Sequence, residues 1–167
     1  AKSLLGKVLV TSINNTLTSG MIVETEAYSW MEQGCHAYQQ KMTIRNEPMF
    51  DPGGVSYVYL CYGVHELFNV VTNQAGVAEA VLIRALEPID GIQTMIRRCK
   101  AKSQNKITSG PGKLTRALGI SRKHNRIDLS GDTVWIEDRR IALKPSHIES
   151  STRIGLNFKG RDAALPW

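Results

Sequence analysis

The sequence predicts an α+β domain built on a mostly antiparallel sheet. Short runs of β-branched and aromatic residues recur along much of the chain, and turn residues separate them. In the second half, one segment instead carries apolar residues at helical spacing, and another follows a Gly/Pro turn that suits a helix entrance. Neither an internal repeat nor a low-complexity linker interrupts the 167 residues, so we expect residues 1–167 to form a single domain.

Two strands are expected in the first thirty residues. An apolar run predicts the first strand at residues 7–11, and the Asn- and Ser-rich stretch at 12–19 predicts a turn. Residues 21–28 predict the second strand. Its period of two places four side chains on one face: Ile22, Glu24, Glu26 and Tyr28.

The middle of the chain predicts a long loop followed by three strands. Residues 29–50 are polar and lack a sustained period, so we expect a loop with short helical turns. Loops of this length are often functional. A turn at 51–54 then leads to strands at 55–62, 67–72 and 80–86.

Both helices are expected in the second half. We expect the first to begin at Pro88 and to run to about Lys100, because Pro favours the first helical turn. A second helix is expected at 113–118, entered through 109–112. The remaining expectations are a hairpin of strands at 133–136 and 140–143 and a loop-rich tail at 153–167.

Charge is distributed unevenly along the chain. The formal net charge is +6, from 21 Lys plus Arg and 15 Asp plus Glu. Residues 1–83 carry 4 basic and 7 acidic side chains, whereas residues 84–167 carry 17 basic and 8 acidic ones. Between Gly91 and Ile127 there are ten Lys or Arg and no acidic residue. This asymmetry favours a polyanionic partner, most simply nucleic acid, although a solvated basic face without a ligand would give the same pattern.

Composition also excludes several classes of protein. No run approaches the ~18 apolar residues of a membrane span, and no secretory signal opens the sequence. The three cysteines are widely spaced and odd in number, which indicates a reducing, intracellular compartment and no disulfide framework. Histidines and cysteines never fall at zinc-ligand spacing, so we expect no metal. Because the sequence starts and stops abruptly, we also expect terminal tails beyond it.

The tyrosines are the first candidates for chemistry. All five lie between residues 28 and 62, at Tyr28, Tyr38, Tyr57, Tyr59 and Tyr62. They suit an aromatic sheet core and, equally, a stacking pocket for a nucleobase. Tyr62 stands before Gly63 in a turn, where it also suits a wedge into a base stack.

Two carboxylates and a histidine form the second group of candidates. Glu24 and Glu26 lie within an otherwise apolar strand, which is a reasonable place for a general base. An edge strand with solvent-facing charges would explain them without catalysis. His36 is one of four histidines, and a lone histidine is more often a structural hydrogen bonder than a catalyst.

The third candidate is the segment Ser109-Gly-Pro-Gly-Lys113, which opens the second expected helix. Amide groups at a helix N-terminus, together with Lys113 and Arg116, suit a phosphate group. An ordinary Pro/Gly turn is the alternative. The spacing of a P-loop is not met here, so nucleotide hydrolysis is not supported.

Blocks of residues from one end of the chain to the other carry a family resemblance. They are IVETEAY at 22–28, His36, TxRN at 43–46, MF at 49–50, YVY at 57–59, YG at 62–63, Asn69, LIRALEP at 82–88, SGP at 109–111, KL at 113–114, RIG at 153–155 and LPW at 165–167. In order and spacing these blocks resemble the alkyladenine (3-methyladenine) DNA glycosylase family.

The resemblance implies a base-excision repair enzyme that flips a damaged purine out of duplex DNA and hydrolyses its N-glycosidic bond. It implies Glu26 as the general base that activates water, with Arg84 beside it. It also implies that Tyr62 enters the gap left in the DNA helix. The implied base pocket consists of Tyr28, His36, Tyr59 and Asn69, and the implied contacts to the DNA backbone are Thr43, Arg45, Met49, Gly110, Lys113 and Arg116.

The same resemblance implies a curved antiparallel sheet with peripheral helices and no helix-hairpin-helix motif. It implies a monofunctional enzyme without metal, cofactor or lysine Schiff base. Such an enzyme would act as a monomer on double-stranded DNA inside the cell, in the cytoplasm or nucleoid of a bacterium or the nucleus of a eukaryote. A non-catalytic nucleic-acid-binding module is the alternative. Glu26 separates the two hypotheses, because a binding module needs no carboxylate inside an apolar strand.

Overall fold

The computed structural model describes residues 1–156 and 160–167. Within these residues the strands are β1 (Val8–Ile13), β2 (Thr16–Ser29), β3 (Ser56–Cys61), β4 (His65–Val71), β5 (Glu79–Asp90) and β6 (Val134–Glu137), and the α-helices are α1 (Ile92–Cys99) and α2 (Pro111–Leu118). All six strands belong to one curled antiparallel sheet, in the order β3–β4–β5–β2–β1–β6. The predicted α+β fold around a curved, mostly antiparallel sheet is confirmed.

The hairpin of β1 and β2 is closed by Asn14 and Asn15. Both have positive φ, 53° and 54°, as a two-residue hairpin turn requires, and Asn tolerates this conformation. The turn predicted over 12–19 is therefore too long. The strands continue up to the two asparagines because buried hydroxyls meet across the hairpin, with the Oγ1 atoms of Thr11 and Thr18 2.6 Å apart.

Pairing between β2 and β5 is irregular at the centre of the sheet. Ile22 pairs with Leu86 and Glu26 pairs with Leu82, but the residues between them do not keep register. Ile22 packs in the main hydrophobic core, whereas Glu26 lines a cavity. The strict alternation predicted over 21–28 is thus wrong at one point, since a β-bulge changes which face the following side chains occupy.

The first helix begins later than predicted. Pro88 lies in β5 opposite Gly20, beside a register shift where its missing N–H is tolerated. The chain turns into α1 at Gly91, whose φ is 72° and where a Cβ would overlap the Leu17 carbonyl oxygen. The second helix begins at Pro111, close to its predicted start.

Among the described residues, no helix has the length and apolar character needed to cross a membrane.

The main hydrophobic core lies between the sheet and the two helices. Among the described residues, eight of its members are completely buried: Leu9, Phe68, Ile83, Met95, Leu114, Ala117, Leu118 and Val134. A smaller cluster, with Tyr57 and Met49 among its members, packs against the long loop after β2. That loop contains short 3₁₀ turns at Tyr38–Gln40 and Glu47–Phe50, as the sequence predicts. The loop is therefore supported by its own apolar contacts.

The hairpin predicted for 133–136 and 140–143 is wrong. β6 pairs instead with β1, where Val134 lies opposite Thr11. Residues 140–143 form no strand. The chain leaves β6 at Asp138, whose carboxylate accepts hydrogen bonds from Lys7 Nζ at 2.7 Å and from the Arg140 N–H at 2.9 Å. The apolar pattern of 133–136 thus completes an edge of the existing sheet.

The C-terminal segment folds back over β2. Its described parts consist of loop and a 3₁₀ turn at Asp162–Ala164, in line with the predicted loop-rich tail. Residues 157–159 of that predicted tail lie outside the described residues. The N–H of Ala27 donates to the Trp167 carbonyl at 3.2 Å. The segment therefore lies directly against the strand that carries Glu26.

Candidate active site

A cavity of about 550 Å³ is lined by strands β2 to β5, the loop after β2, the start of α2 and residues 154–156. Ten of the thirteen predicted site residues line it: Glu26, Tyr28, His36, Met49, Tyr59, Tyr62, Asn69, Arg84, Gly110 and Lys113. The other three, Thr43, Arg45 and Arg116, lie outside its lining. Residues from distant parts of the sequence are thus brought to one cavity.

Glu26 is the one carboxylate among the described residues that line this cavity, and 4% of the residue is exposed. At Glu26, β2 pairs with β5 on one side, and the C-terminal segment lies along the other, where β1 no longer pairs with it. Because Glu26 is buried there, the explanation of solvent-facing charges on an edge strand does not hold for it. One carboxylate oxygen, Oε1, accepts the Ile154 N–H at 2.8 Å, and the other, Oε2, accepts the Tyr28 hydroxyl at 2.9 Å. These two hydrogen bonds hold the carboxylate in a fixed orientation within the protein.

Arg84 connects the two glutamates of β2. Its Nε donates to Glu24 Oε1 at 2.7 Å, and its Nη1 lies 3.3 Å from Glu26 Oε1. The Glu24 side chain is 44% exposed and that of Glu26 is 5% exposed. The two carboxylates therefore have different roles available to them: Glu24 holds the guanidinium, and Glu26 faces the cavity.

Aromatic rings form one wall of the cavity. The rings of Tyr57 and Tyr59 stack with their centroids 5.1 Å apart. The rings of His36 and Tyr59 meet edge to face, with their centroids 4.6 Å apart. His36 Nδ1 lies 2.9 Å from the Tyr57 hydroxyl, and the guanidinium of Arg45 covers Tyr59 at 5.1 Å. Tyr57 is a core residue at 2% exposure, so core and pocket share a single aromatic cluster.

Two tyrosine hydroxyls of the cavity stay protonated. Burial raises the pKa of Tyr28, and the neighbouring negative charge of Glu26 raises it further. Burial likewise raises the pKa of Tyr59 to about 12. Both groups are hydrogen-bond donors at neutral pH, which is what the Tyr28 contact to Glu26 requires.

The imidazole of His36 is neutral at physiological pH. Burial and the nearby positive charge of Arg45 lower the pKa of His36 from its usual 6.5 to about 4. The residue lines the cavity and is exposed to solvent. A neutral imidazole beside the Tyr57 hydroxyl can accept or donate one hydrogen bond, so His36 is suited to bind an uncharged edge of a ligand.

When the pH is lowered, the His36→Gln variant is expected to lose less free energy of unfolding than the wild type. The folded wild type resists protonation of His36 between pH 6.5 and about 4, whereas the unfolded chain takes up the proton, so stability falls as the pH drops through this window. Urea unfolding at pH 7 and pH 4.5 measures the difference. His124, whose pKa burial also lowers, is present in both proteins and cancels. An identical pH dependence in both proteins would contradict the assignment.

Asn69 lines the cavity from strand β4. It is 4% exposed and pairs with Tyr57 across β3 and β4. Its side-chain Nδ2 donates to the Tyr57 carbonyl at 3.0 Å. This hydrogen bond fixes the orientation of the amide at the cavity surface.

Tyr62 stands at the tip of the β3–β4 hairpin. It has φ 50° and precedes Gly63, whose φ is 71°, so the turn presents the ring outward. The residue is 76% exposed and belongs to the cavity rim, with the exposed Val64 two residues on. A large aromatic ring exposed on a short turn has the geometry that the predicted wedge into a base stack needs.

The residues predicted to contact the DNA backbone separate into two groups. Gly110 and Lys113 border the cavity at the start of α2, and Arg116 lies one turn further along; both basic side chains are exposed. Thr43 and Arg45 lie in the loop, where Arg45 Nη2 donates to the Leu60 carbonyl at 3.0 Å. All five are accessible on the surface or at the rim.

Met49 does not fit its predicted role at the DNA backbone. It is 2% exposed and belongs to the smaller hydrophobic cluster with Tyr57, against which Phe50 packs. A phosphate group cannot reach a side chain buried in this way. The expectation is corrected: Met49 is part of the cavity wall.

Three contributors to the site were not predicted from the sequence. Glu32 and Arg153 form a buried ion pair with Nη1–Oε1 2.6 Å, and Ile154 supplies the N–H that binds Glu26. The pair spans 121 residues of sequence, and no local pattern connects its members. Arg153 and Ile154 stand in the RIG block, and that block was the signal that marked this segment.

No group of three or more His, Cys, Asp or Glu among the described residues is arranged to hold a metal ion.

Comparison with known proteins decides the family. The model of the family described as methylpurine-DNA glycosylase matches residues 1–167. The chain belongs to the methylpurine-DNA glycosylase family. Members of this family hydrolyse N-glycosidic bonds in DNA repair, so the predicted enzyme class is confirmed.

Bacterial relatives agree with this assignment. The chain is 49% identical over 169 residues to a protein of Chlorobium phaeobacteroides, covering 100% of this chain and 82% of the relative. It is 48% identical over 167 residues to one of Carboxydothermus hydrogenoformans, covering 100% and 85%. A Chlamydia felis protein is 42% identical over 170 residues, covering 100% and 86%. All three carry the name "Putative 3-methyladenine DNA glycosylase".

Proposed function

We propose that this methylpurine-DNA glycosylase flips alkylated purines out of duplex DNA and hydrolyses their N-glycosidic bond with a water molecule activated by Glu26. The observation that carries the proposal is a buried, oriented carboxylate in a cavity walled by aromatic rings. Aromatic walls suit any purine, because every base offers a π-face worth ~1–3 kcal/mol of stacking. We also propose that the protein acts as a monomer, inside the cell where the DNA lies.

The nucleophile of the proposed reaction is water. An ionised carboxylate offers about four lone-pair positions. Ile154 and Tyr28 donate to two of those on Glu26, and Arg84 Nη1 lies 3.3 Å from Oε1, so a lone-pair position is left to accept a hydrogen bond from the water. As the water oxygen bonds to C1′ of the sugar, its proton passes to Glu26. Of the described residues lining the cavity, Lys113 is the one amine, and it lies exposed at the rim, which supports the monofunctional mechanism.

The leaving group determines which lesions suit this site. In an alkylated purine such as 3-methyladenine the ring is cationic, so the base leaves with the bonding electron pair and becomes neutral without acid assistance. A neutral lesion such as hypoxanthine needs protonation during departure. Because the pKa of His36 is about 4, little of it is protonated at neutral pH, and it is a poor general acid there. Cationic lesions are therefore the proposed preferred substrates.

A panel of duplexes tests the proposal. Each duplex carries one 3-methyladenine, 7-methylguanine, hypoxanthine or undamaged purine, and release of the free base is measured under single-turnover conditions. We expect faster release of the two cationic bases than of hypoxanthine, no release of undamaged purines and no cleavage of the sugar-phosphate strand. Binding to lesion DNA without any base release would instead support the non-catalytic binding module.

The salt dependence of DNA binding tests the proposed phosphate contacts. Lys113 and Arg116 are exposed beside the cavity, so each of Lys113→Gln and Arg116→Gln should weaken binding and lower the log–log salt slope by about one. Binding measured between low and high salt by fluorescence anisotropy gives this slope. Lys7→Gln is the control, because Lys7 is paired with Asp138 near β6. Slopes that stay at the wild-type value in both variants would refute the phosphate contacts.

A further inference from the structure

A buried ion pair lies beside the active site. Arg153 and Glu32 are joined by two hydrogen bonds, Nη1 to Oε1 at 2.6 Å and Nη2 to Oε2 at 2.8 Å. Their side chains are 0% and 2% exposed. A two-pronged contact of this kind fixes orientation as well as charge. The proposed chemistry uses neither charge directly, so the pair calls for another role.

Arg153 also connects three segments of the chain. Its Nη1 lies 3.3 Å from the carbonyl oxygen of Ala27 in β2, and its Nη2 donates to the Asp162 carbonyl at 2.7 Å. Its partner Glu32 accepts the Gly34 N–H at 2.7 Å, within the loop that carries His36. One guanidinium therefore joins the central strand, the pocket loop and the C-terminal segment.

The two donors that orient Glu26 both adjoin Arg153. The next residue, Ile154, gives its N–H to Glu26 Oε1 at 2.8 Å. The guanidinium of Arg153 also lies 4.9 Å from the ring centroid of Tyr28, whose hydroxyl donates to Glu26 Oε2. A displacement of Arg153 would move the main-chain donor and release the tyrosine ring together.

We propose that Arg153, paired with Glu32, is a positioning residue: it holds the Ile154 N–H and the Tyr28 hydroxyl against Glu26 and so directs the carboxylate toward its water. The inference rests on the proposed role of Glu26 as the base. It assigns a function to the C-terminal segment, which supplies a donor to the active site.

The decisive variant replaces both charges, as Glu32→Leu with Arg153→Met. An apolar pair of similar volume is often neutral or stabilising in place of a buried ion pair, whereas removal of one partner leaves a buried unpaired charge. We expect a folded protein whose affinity for lesion DNA is nearly unchanged and whose single-turnover rate is about 10- to 100-fold lower, because a small misplacement of a catalytic group has effects of this size. A folded double variant with the wild-type rate would overturn the proposal.

Arg153→Lys decides the question if the double variant does not fold. Lysine keeps the positive charge opposite Glu32 but lacks the planar fork that also reaches Asp162. We expect a slow rate here as well, and recovery of the wild-type rate would show that charge alone matters and would refute positioning. Arg126→Met is the control. It removes the ion pair between Arg126 and Asp51, in which the arginine side chain is 45% exposed, and it should leave the rate unchanged.

A second readout separates positioning from a merely structural role. If Arg153 acts through Glu26, Arg153→Lys should slow base release when Glu26 is present. In a protein that already carries Glu26→Gln, it should cause no further slowing, because the effects of coupled residues are not additive. Additive slowing would refute the inference. The two failures differ: Glu26→Gln at the wild-type rate would refute the proposed base, whereas an inactive Glu26→Gln with a fully active Arg153→Lys would refute the positioning role alone.

Discussion

Glu26→Gln is expected to lower the single-turnover rate of 3-methyladenine release by about 10²–10⁴-fold, the usual contribution of a general base. Glutamine has nearly the same shape, and its side-chain carbonyl can still accept the Ile154 N–H. What it lacks is the capacity to take a proton from the water. Arg84 keeps its bond to Glu24 at 2.7 Å, so the guanidinium remains in place. Affinity for lesion DNA should therefore be retained.

Glu24→Gln is the matched control for this experiment. Glu24 lies two residues away on the same strand and contacts the same arginine, but its side chain is 44% exposed. Its substitution should reduce the rate far less than Glu26→Gln does. Equal losses in the two variants would mean that the positive charge of Arg84, and not a base at Glu26, determines the rate. Unchanged release by Glu26→Gln would contradict the proposed mechanism outright.

Local sequence patterns predicted the parts of the fold that depend on local physics. Alternation of side chains identified the central strand with Glu26, and the Gly-Pro-Gly stretch identified the entrance to α2. The same rules failed where tertiary context decides. Pro88 has the appearance of a helix start, but β5 continues through it because a register shift removes the need for its N–H.

The candidate site was predictable where its residues stand in recognisable blocks. Glu26, Tyr28, Tyr59 and Arg84 all meet in the cavity, since strands bring them together. The pairing of Glu32 with Arg153 was not predictable, because each looks like an ordinary surface charge in the sequence. Met49 shows the converse: its block was identified, but only burial shows that it faces the cavity wall and not a phosphate.

Tyr62→Ala is expected to lower the affinity for a lesion-containing duplex by about 5- to 150-fold, which corresponds to ~1–3 kcal/mol for one aromatic stacking partner. The ring stands on a hairpin tip at 76% exposure, so its removal leaves the core untouched. Flipping a base opens a gap that costs a few kcal/mol, and a wedge offsets part of this by filling the vacated stack. Undamaged duplex, in which the base stays stacked, should bind the variant nearly as well as the wild type.

The ratio of the two affinities distinguishes a wedge from a general DNA contact. Fluorescence anisotropy with matched duplexes, one carrying a single lesion, measures both affinities at the same salt concentration. Val64→Ala, on the same hairpin and 66% exposed, is the control and should lower the ratio much less. Tyr62→Phe should restore most of it, because stacking depends on the ring and not on the hydroxyl. Equal losses for damaged and undamaged DNA in Tyr62→Ala would place the tyrosine on the outside of the duplex and refute its insertion.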